Sequence, residues 1–122
     1  MSTGAQAYAR TAQTTASPRD IEAQALLKAA RKLQDVMTNW ADTDAGLEDA
    51  LLFNRKLWSI FVGDAMNDNN PESVEIRQNI ANIGIFVLTQ CAALKQKPEV
   101  EALQSLIDIN RNIAAGLSSR GA

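Results

Sequence analysis

Residues 47–66 read LEDALLFNRKLWSIFVGDAM and contain two of the three phenylalanines and one of the two tryptophans of the chain. At 3.6 residues per turn, the stretch predicts a helix of about six turns. Its apolar residues share one broad face: Leu47, Ala50, Leu51, Leu57, Trp58, Phe61, Val62 and Ala65, widened by Phe53 and Ile60. A helix at the surface of a bundle carries a narrower apolar stripe, so we expect this helix to be central.

Asn54 lies in the middle of that apolar face, with Arg55 at its edge. A buried asparagine is costly unless its amide is hydrogen-bonded. One interpretation makes Asn54 a partner-binding group. The other has Asn54 and Asn82 bond each other or a backbone carbonyl, which would pin the second helix against the third and leave Trp58 and Phe61 as plain core.

The length, net charge and composition of the sequence restrict the class of protein. With 122 residues there is room for one domain that buries about two-thirds of its unfolded surface. A formal net charge of −2 argues against a general nucleic-acid binder. The chain has no histidine, the usual general acid or base and a common metal ligand, so we expect neither an enzyme nor a cofactor or metal site.

Cysteine usage and hydropathy predict a cytoplasmic protein. Cys91 is the only cysteine, which precludes an internal disulfide and fits a reducing compartment. The start of the chain has no signal-peptide pattern, and no run of 18 apolar residues exists, so we expect no membrane insertion.

The first 16 residues, MSTGAQAYARTAQTTA, are small and polar. They predict a flexible N-terminal arm over residues 1–16, followed by a single helical-bundle domain over residues 17–122. Tyr8 is the only tyrosine of the chain. It is either an exposed residue of the arm or a plug that docks into a groove on the bundle, and both interpretations stay open.

The first helix has a clear start signal. Ser17 suits the N-cap, Pro18 the first helical position and Asp20 the third residue after the cap, and the pattern continues to about Asn39. Its seam repeats at steps of three and four: Ala23, Leu26, Ala30, Leu33, Met37 and Trp40. Three cations lie opposite, either as a solvated face or as a site for an anionic partner: Lys28, Arg31 and Lys32.

Three further helices are predicted. We expect Asp42-Thr43-Asp44 to cap the second helix, Asn70-Pro71-Glu72 to open the third and Pro98 to start the fourth. The third carries one seam and a second stripe on nearly the opposite side: Ile76, Ile80, Ile83, Val87, Cys91 and Leu94, then Ala81, Ile85, Leu88 and Ala92. The fourth has a wide apolar face that includes Asn110.

The predicted fold is therefore all-α, a small, antiparallel-leaning bundle of about four helices. It has more apolar surface than one small core needs, so the surplus should meet a partner or a second copy, and the oligomeric state is left open.

Residues 54–61, NRKLWSIF, followed by residues 80–87, IANIGIFV, resemble the FlaF family of flagellar biosynthesis proteins. The Ala7-Tyr8 pair and the helix start PRDIEA at residues 18–23 fit the same family. The resemblance covers nearly the whole chain and weakens after Val100. It implies a small cytoplasmic protein that binds flagellin as a secretion chaperone and promotes flagellin production.

The resemblance also implies an alternative, a post-transcriptional regulator of flagellin mRNA translation that acts through the partner protein FlbT. The acidic balance argues against direct RNA binding. For the chaperone, an apolar groove with polar groups that fix the register suits an amphipathic client segment. The candidate partner-binding residues are Tyr8 in the arm, Asn54, Arg55, Asn79 and Asn82 as polar groups, and Trp58, Phe61 and Phe86 as aromatic contacts.

Overall fold

A computed structural model describes residues 17–41 and 46–120, with side chains through residue 118. This part of the chain contains four helices and no strand, which confirms the predicted all-α bundle. The helices are α1 (Pro18–Thr38), α2 (Leu47–Met66), α3 (Val74–Gln96) and α4 (Val100–Arg120). The predicted arm, residues 1–16, lies outside the described residues.

Each helix packs beside the next one in sequence, and α4 returns to pack beside α1. Because short loops join the neighbours, the bundle runs up, down, up and down. The closest pairs are α1 with α4 and α2 with α3, while α3 and α4 are the least close of the four neighbouring pairs. The helices α2 and α4 therefore lie diagonally across the core.

The start of α1 is the predicted capping box. Ser17 Oγ accepts a hydrogen bond of 3.1 Å from the backbone N–H of Asp20. Asp20 Oδ2 accepts one of 3.4 Å from the backbone N–H of Ser17, and Pro18 occupies the first helical position. These bonds satisfy donors that a helix N-terminus otherwise leaves unpaired.

The N-cap of α2 is Gly46, at a left-handed φ of +89°, rather than one of the predicted residues, and Gly46 makes no side-chain cap bond. Asp42, Thr43 and Asp44 themselves lie outside the described residues. Glycine adopts that conformation without the steric cost of a β-carbon. Glu48 and Asp49 in the first turn complement the helix dipole instead.

The third and fourth helices begin two or more residues later than predicted. Ser73 caps α3, where its Oγ accepts a hydrogen bond of 3.2 Å from the backbone N–H of Ile76. Asn70 instead folds the preceding loop: its Oδ1 accepts from the N–H of Glu72 at 2.9 Å, and its Nδ2 donates to the Asp64 carbonyl at 2.8 Å. These bonds hold residues 70–72 in a turn, and α4 begins at Val100 rather than at Pro98.

The core lies along the centre of all four helices. Its largest fully buried apolar side chains are Leu26, Leu33, Val36, Trp58, Val87, Leu94, Leu103, Leu106 and Ile107. The predicted α1 seam is buried at Ala23 through Leu33, while Met37 and Trp40 are only partly buried. Val36, one residue before Met37, is buried instead, because a seam with a period of 3.5 residues drifts around a straight helix of 3.6 residues per turn.

Gly84 lets α3 pack tightly against α2. A β-carbon at this position would overlap Val62 Cγ2 and lie 3.4 Å from Trp58 Cε3. The missing side chain thus brings the two backbones together where the central tryptophan packs.

Candidate functional site

The two core asparagines form a hydrogen-bond network with the buried tryptophan. Trp58 Nε1 donates to Asn110 Oδ1 at 2.8 Å, and Asn110 Nδ2 donates to Asn54 Oδ1 at 2.7 Å. Asn54 Nδ2 then donates to the Ala50 carbonyl at 2.9 Å and to the Ala29 carbonyl at 3.3 Å. The network thereby joins α1, α2 and α4.

The network shows that Asn54 is a hydrogen-bonded residue of the core. Asn54 and Trp58 are each 0% exposed, and no buried side-chain nitrogen or oxygen in the described residues lacks a partner. Asn54 does bond a backbone carbonyl of a neighbouring helix, but that helix is α1 and not α3. The predicted Asn54–Asn82 pair is not formed, since Asn82 is exposed on α3 and accepts 3.0 Å from Gln78 Nε2. Neither Asn54 nor Trp58 is accessible to a binding partner in this conformation.

The other candidate residues fall in different places. Phe61 is 9% exposed and makes an edge-to-face contact with Trp58, with ring centroids 5.3 Å apart. Arg55 and Asn79 are exposed on α2 and α3. Tyr8 lies outside the described residues. Only Asn82 and Phe86 share a surface feature.

That feature is a groove between α3 and α4, which we call the α3/α4 groove. Its volume is about 430 Å³, and it is lined by Asn82, Ile83, Phe86, Ile109, Asn112 and Ile113. Phe86 is 45% exposed, unusual for a phenylalanine, because α4 does not close over it. The groove therefore offers aliphatic and aromatic surface flanked by two amides.

A second cavity, the end pocket, lies where the start of α1 and the end of α4 meet the loop between α2 and α3. Its volume is about 540 Å³. The apolar part of its lining includes Phe61, Ile76, Ile80, Ile113 and Leu117, and the charged part is Arg19, Glu22, Asp64, Glu72 and Arg77. Ile113 lines both the end pocket and the α3/α4 groove.

The charged side chains of the end pocket differ in the contacts that they make. Arg19 lies 3.2 Å from Glu72, and Arg77 Nε donates 2.7 Å to the Ala65 carbonyl. Burial raises the pKa of the Glu22 carboxyl, and so does the negative charge of Asp64, against the opposing effect of Arg19. The pocket thus disfavours a further negative charge and favours a positive one.

The cations predicted on α1 are largely engaged with α2. The ammonium groups of Lys28 and Lys32 lie 5.3 and 5.4 Å from the centroid of the Phe53 ring. Lys32 Nζ also lies 2.8 Å from Asp49 Oδ2, and this hydrogen bond lowers the pKa of the Asp49 carboxyl. These contacts favour a local packing role for the two lysines over phosphate binding.

Cys91 is 3% exposed, and burial raises the pKa of its thiol to about 11. A buried, protonated thiol is not a nucleophile at neutral pH. Among the described residues, no group of three or more metal-ligating side chains lies close enough to hold an ion. None of the four described helices combines the length and the apolar content needed to cross a membrane.

Sequence reasoning missed two parts of these sites. Asn110 was recognised within the apolar face of the fourth helix but was not paired with Asn54. A buried amide on each of two helices is a signal that the two bond each other. The groove residues on α4, Ile109 and Asn112, had no comparable signal because periodicity does not reveal how far apart two helices lie.

The comparisons with known proteins agree with the motifs in residues 54–61 and 80–87. No curated protein and no solved structure matches the chain. The family model described as "Flagellar protein FlaF" matches residues 4–117, nearly the whole chain, including the segment before α1. The motifs, the four-helix fold and this match together show that the chain belongs to the FlaF family of flagellar proteins.

Proposed function

We propose that this flagellar protein is a non-enzymatic cytoplasmic chaperone that binds monomeric flagellin in the α3/α4 groove. The family membership supports a flagellar role. The observation that carries the proposal is the groove itself, with a 45% exposed Phe86 between two helices that do not close over it.

The chemistry of the groove suits an amphipathic client segment. Ile83, Phe86, Ile109 and Ile113 offer apolar contacts to the apolar face of a client helix. Asn82 and Asn112 at the same groove penalise a register that leaves their amides unpaired. Covering such a surface on the client is what would keep flagellin from polymerising before export.

The groove is separate from the amide network of the core. Phe86 and Asn82 make none of the bonds that join α1, α2 and α4. Substitutions in the groove therefore test binding without removing the hydrogen bonds that hold the bundle.

The experiment mixes the purified protein with monomeric flagellin from its own organism and measures the mass by size-exclusion chromatography with light scattering. We expect a complex of defined stoichiometry. Phe86→Ala should weaken it by about 30-fold or more, the size of an interface hot spot. Ile60→Ala is the matched control, because Ile60 is 59% exposed on α2 and lines neither cavity.

Two results would contradict the proposal. One is a well-folded protein that forms no complex with flagellin. The other is a complex that Phe86→Ala and Ile60→Ala weaken equally, which would place the client elsewhere.

A second candidate function is regulation of flagellin mRNA translation through FlbT. The observation that favours it is a row of exposed apolar side chains on α3 outside the α3/α4 groove, formed by Val74, Ile85 and Ala92. Their spacings of 11 and 7 residues place them on one side of the helix, away from the groove. Ile85→Glu should abolish binding of purified FlbT while leaving the flagellin complex intact, and FlbT binding that survives this change would count against the site.

A further inference from the structure

The end pocket is lined by Ser17 and Pro18, the residues into which the N-terminal segment leads. Residues 1–16 are therefore tethered at the edge of the cavity. A short tether gives an effective concentration of about millimolar, so weak contacts suffice for docking.

The segment contains one aromatic and one cationic side chain that could contact the apolar and acidic parts of the pocket. Tyr8 is its only aromatic residue and Arg10 its only charged side chain. Tyr8 precedes Ser17 by nine residues, which span about 14 Å as a helix and about 30 Å when extended. Both side chains can therefore reach the cavity from the tether point.

The pocket offers a complementary surface. Phe61, Ile80 and Leu117 supply apolar contacts for a tyrosine ring in a cavity of about 540 Å³. Within the described part of the chain, neither Glu22 nor Asp64 forms an ion pair, although both line the pocket. Burial is the main cause that raises the pKa of Glu22, and the negative charge of Asp64 adds to it; an arginine placed between the two carboxylates would offset that added repulsion.

We propose that residues 1–16 dock intramolecularly into the end pocket, with Tyr8 against its apolar lining and Arg10 facing Glu22 and Asp64. The family match begins at residue 4, so the segment belongs to the region that the family shares. Because Ile113 lines both cavities, the end pocket adjoins the α3/α4 groove. This inference does not depend on what the groove binds.

The test measures hydrogen–deuterium exchange of the full chain at micromolar concentration. In the wild type we expect protected amides within residues 5–12. Tyr8→Ala and Arg10→Glu should each accelerate exchange there by fivefold or more, while Tyr8→Phe and Arg10→Lys should retain most of the protection. The helical content measured by circular dichroism should stay constant, since the changes lie outside the four helices.

A charge swap separates docking from local effects on the segment. Arg10→Glu combined with Asp64→Arg should restore protection that Arg10→Glu alone removes. Unprotected amides in the wild type, or a swap that restores nothing, would overturn the proposal. Protection that grows with protein concentration would assign the pocket to the segment of a second copy and overturn the intramolecular form.

Discussion

Asn110 Nδ2 donates a 2.7 Å hydrogen bond to Asn54 Oδ1, linking α2 and α4 diagonally across the core. Both amides are fully buried, so water cannot replace either partner. The bond is thus one on which the stability of the bundle should depend strongly.

Asn110→Ala should destabilise the protein by about 2–4 kcal/mol, because it leaves Trp58 Nε1 and Asn54 Oδ1 without a partner and opens a cavity. Urea denaturation measures this free energy. Asn112→Ala, exposed on the same helix, should change it by less than about 0.5 kcal/mol. Equal effects of the two substitutions would contradict the network.

The double substitution Asn54→Ala with Asn110→Ala should cost less than the sum of the two single changes. Each single change already breaks the bond that both residues share. The expected coupling is about 1 kcal/mol, obtained from a double-mutant cycle by the same denaturation. Strict additivity would show that the two amides act independently.

Gly84→Ala should destabilise the protein although it improves helix propensity. The new methyl group would collide with Val62, whose branched side chain has little rotamer freedom. An overpacking cost of about 1–3 kcal/mol then opposes a propensity gain of about 1 kcal/mol. Gly116→Ala on α4 meets nothing within 4 Å and should raise the melting temperature, so a similar rise for Gly84→Ala would refute the close approach.

In a background in which Arg10 is replaced by Gln, so that no cation from the N-terminal segment offsets the charge of Glu22, Glu22→Gln should raise the melting temperature at pH 7. The pKa of Glu22 is raised above its ordinary 4.5 in the folded protein. Because the fold disfavours the ionised carboxyl, the free energy of unfolding decreases as the pH rises from 4.5 through the pKa of the folded state. The gain of the variant should therefore disappear below pH 4.5. Glu48→Gln, exposed in the first turn of α2, should give no gain, and a gain for Glu22→Gln that persists at pH 3 would contradict this origin.

Cys91 should resist thiol reagents until the protein unfolds. With a pKa of about 11, about one thiol in a thousand is ionised at pH 8, and the sulfur is also buried. Labelling with a chromogenic disulfide should be at least 100-fold slower in buffer than in concentrated urea. Equal rates in the two conditions would show that α3 opens readily at this position.

The sequence predicted what depends on periodicity and local chemistry. Steps of three and four along α1 identified four of its six buried residues, and Ser17 with Asp20 predicted the capping box. The bounds of α2, residues 47–66, were predicted correctly, but its N-cap was not: several polar residues near the start are plausible caps, while the conformation of Gly46 depends on how the chain approaches the helix.

The groove and the network were beyond prediction because they depend on distances between helices. Periodicity places Asn54 on the apolar face but does not tell which helix that face meets. Gly84 lets α3 approach α2 closely, and α3 lies farther from α4 than from α2. That effect depends on three-dimensional packing rather than on the pattern of either helix.

The amide network also bears on the handedness of the bundle. Four helices joined by short loops can wind around the core in either a left-turning or a right-turning order, and apolar seams alone fit both arrangements. In the opposite winding, the face of α2 that carries Asn54 would no longer meet the Ala29 carbonyl and Asn110 together, which would leave buried amides unpaired. We therefore expect Asn54 and Asn110 to disfavour the mirror-related topology.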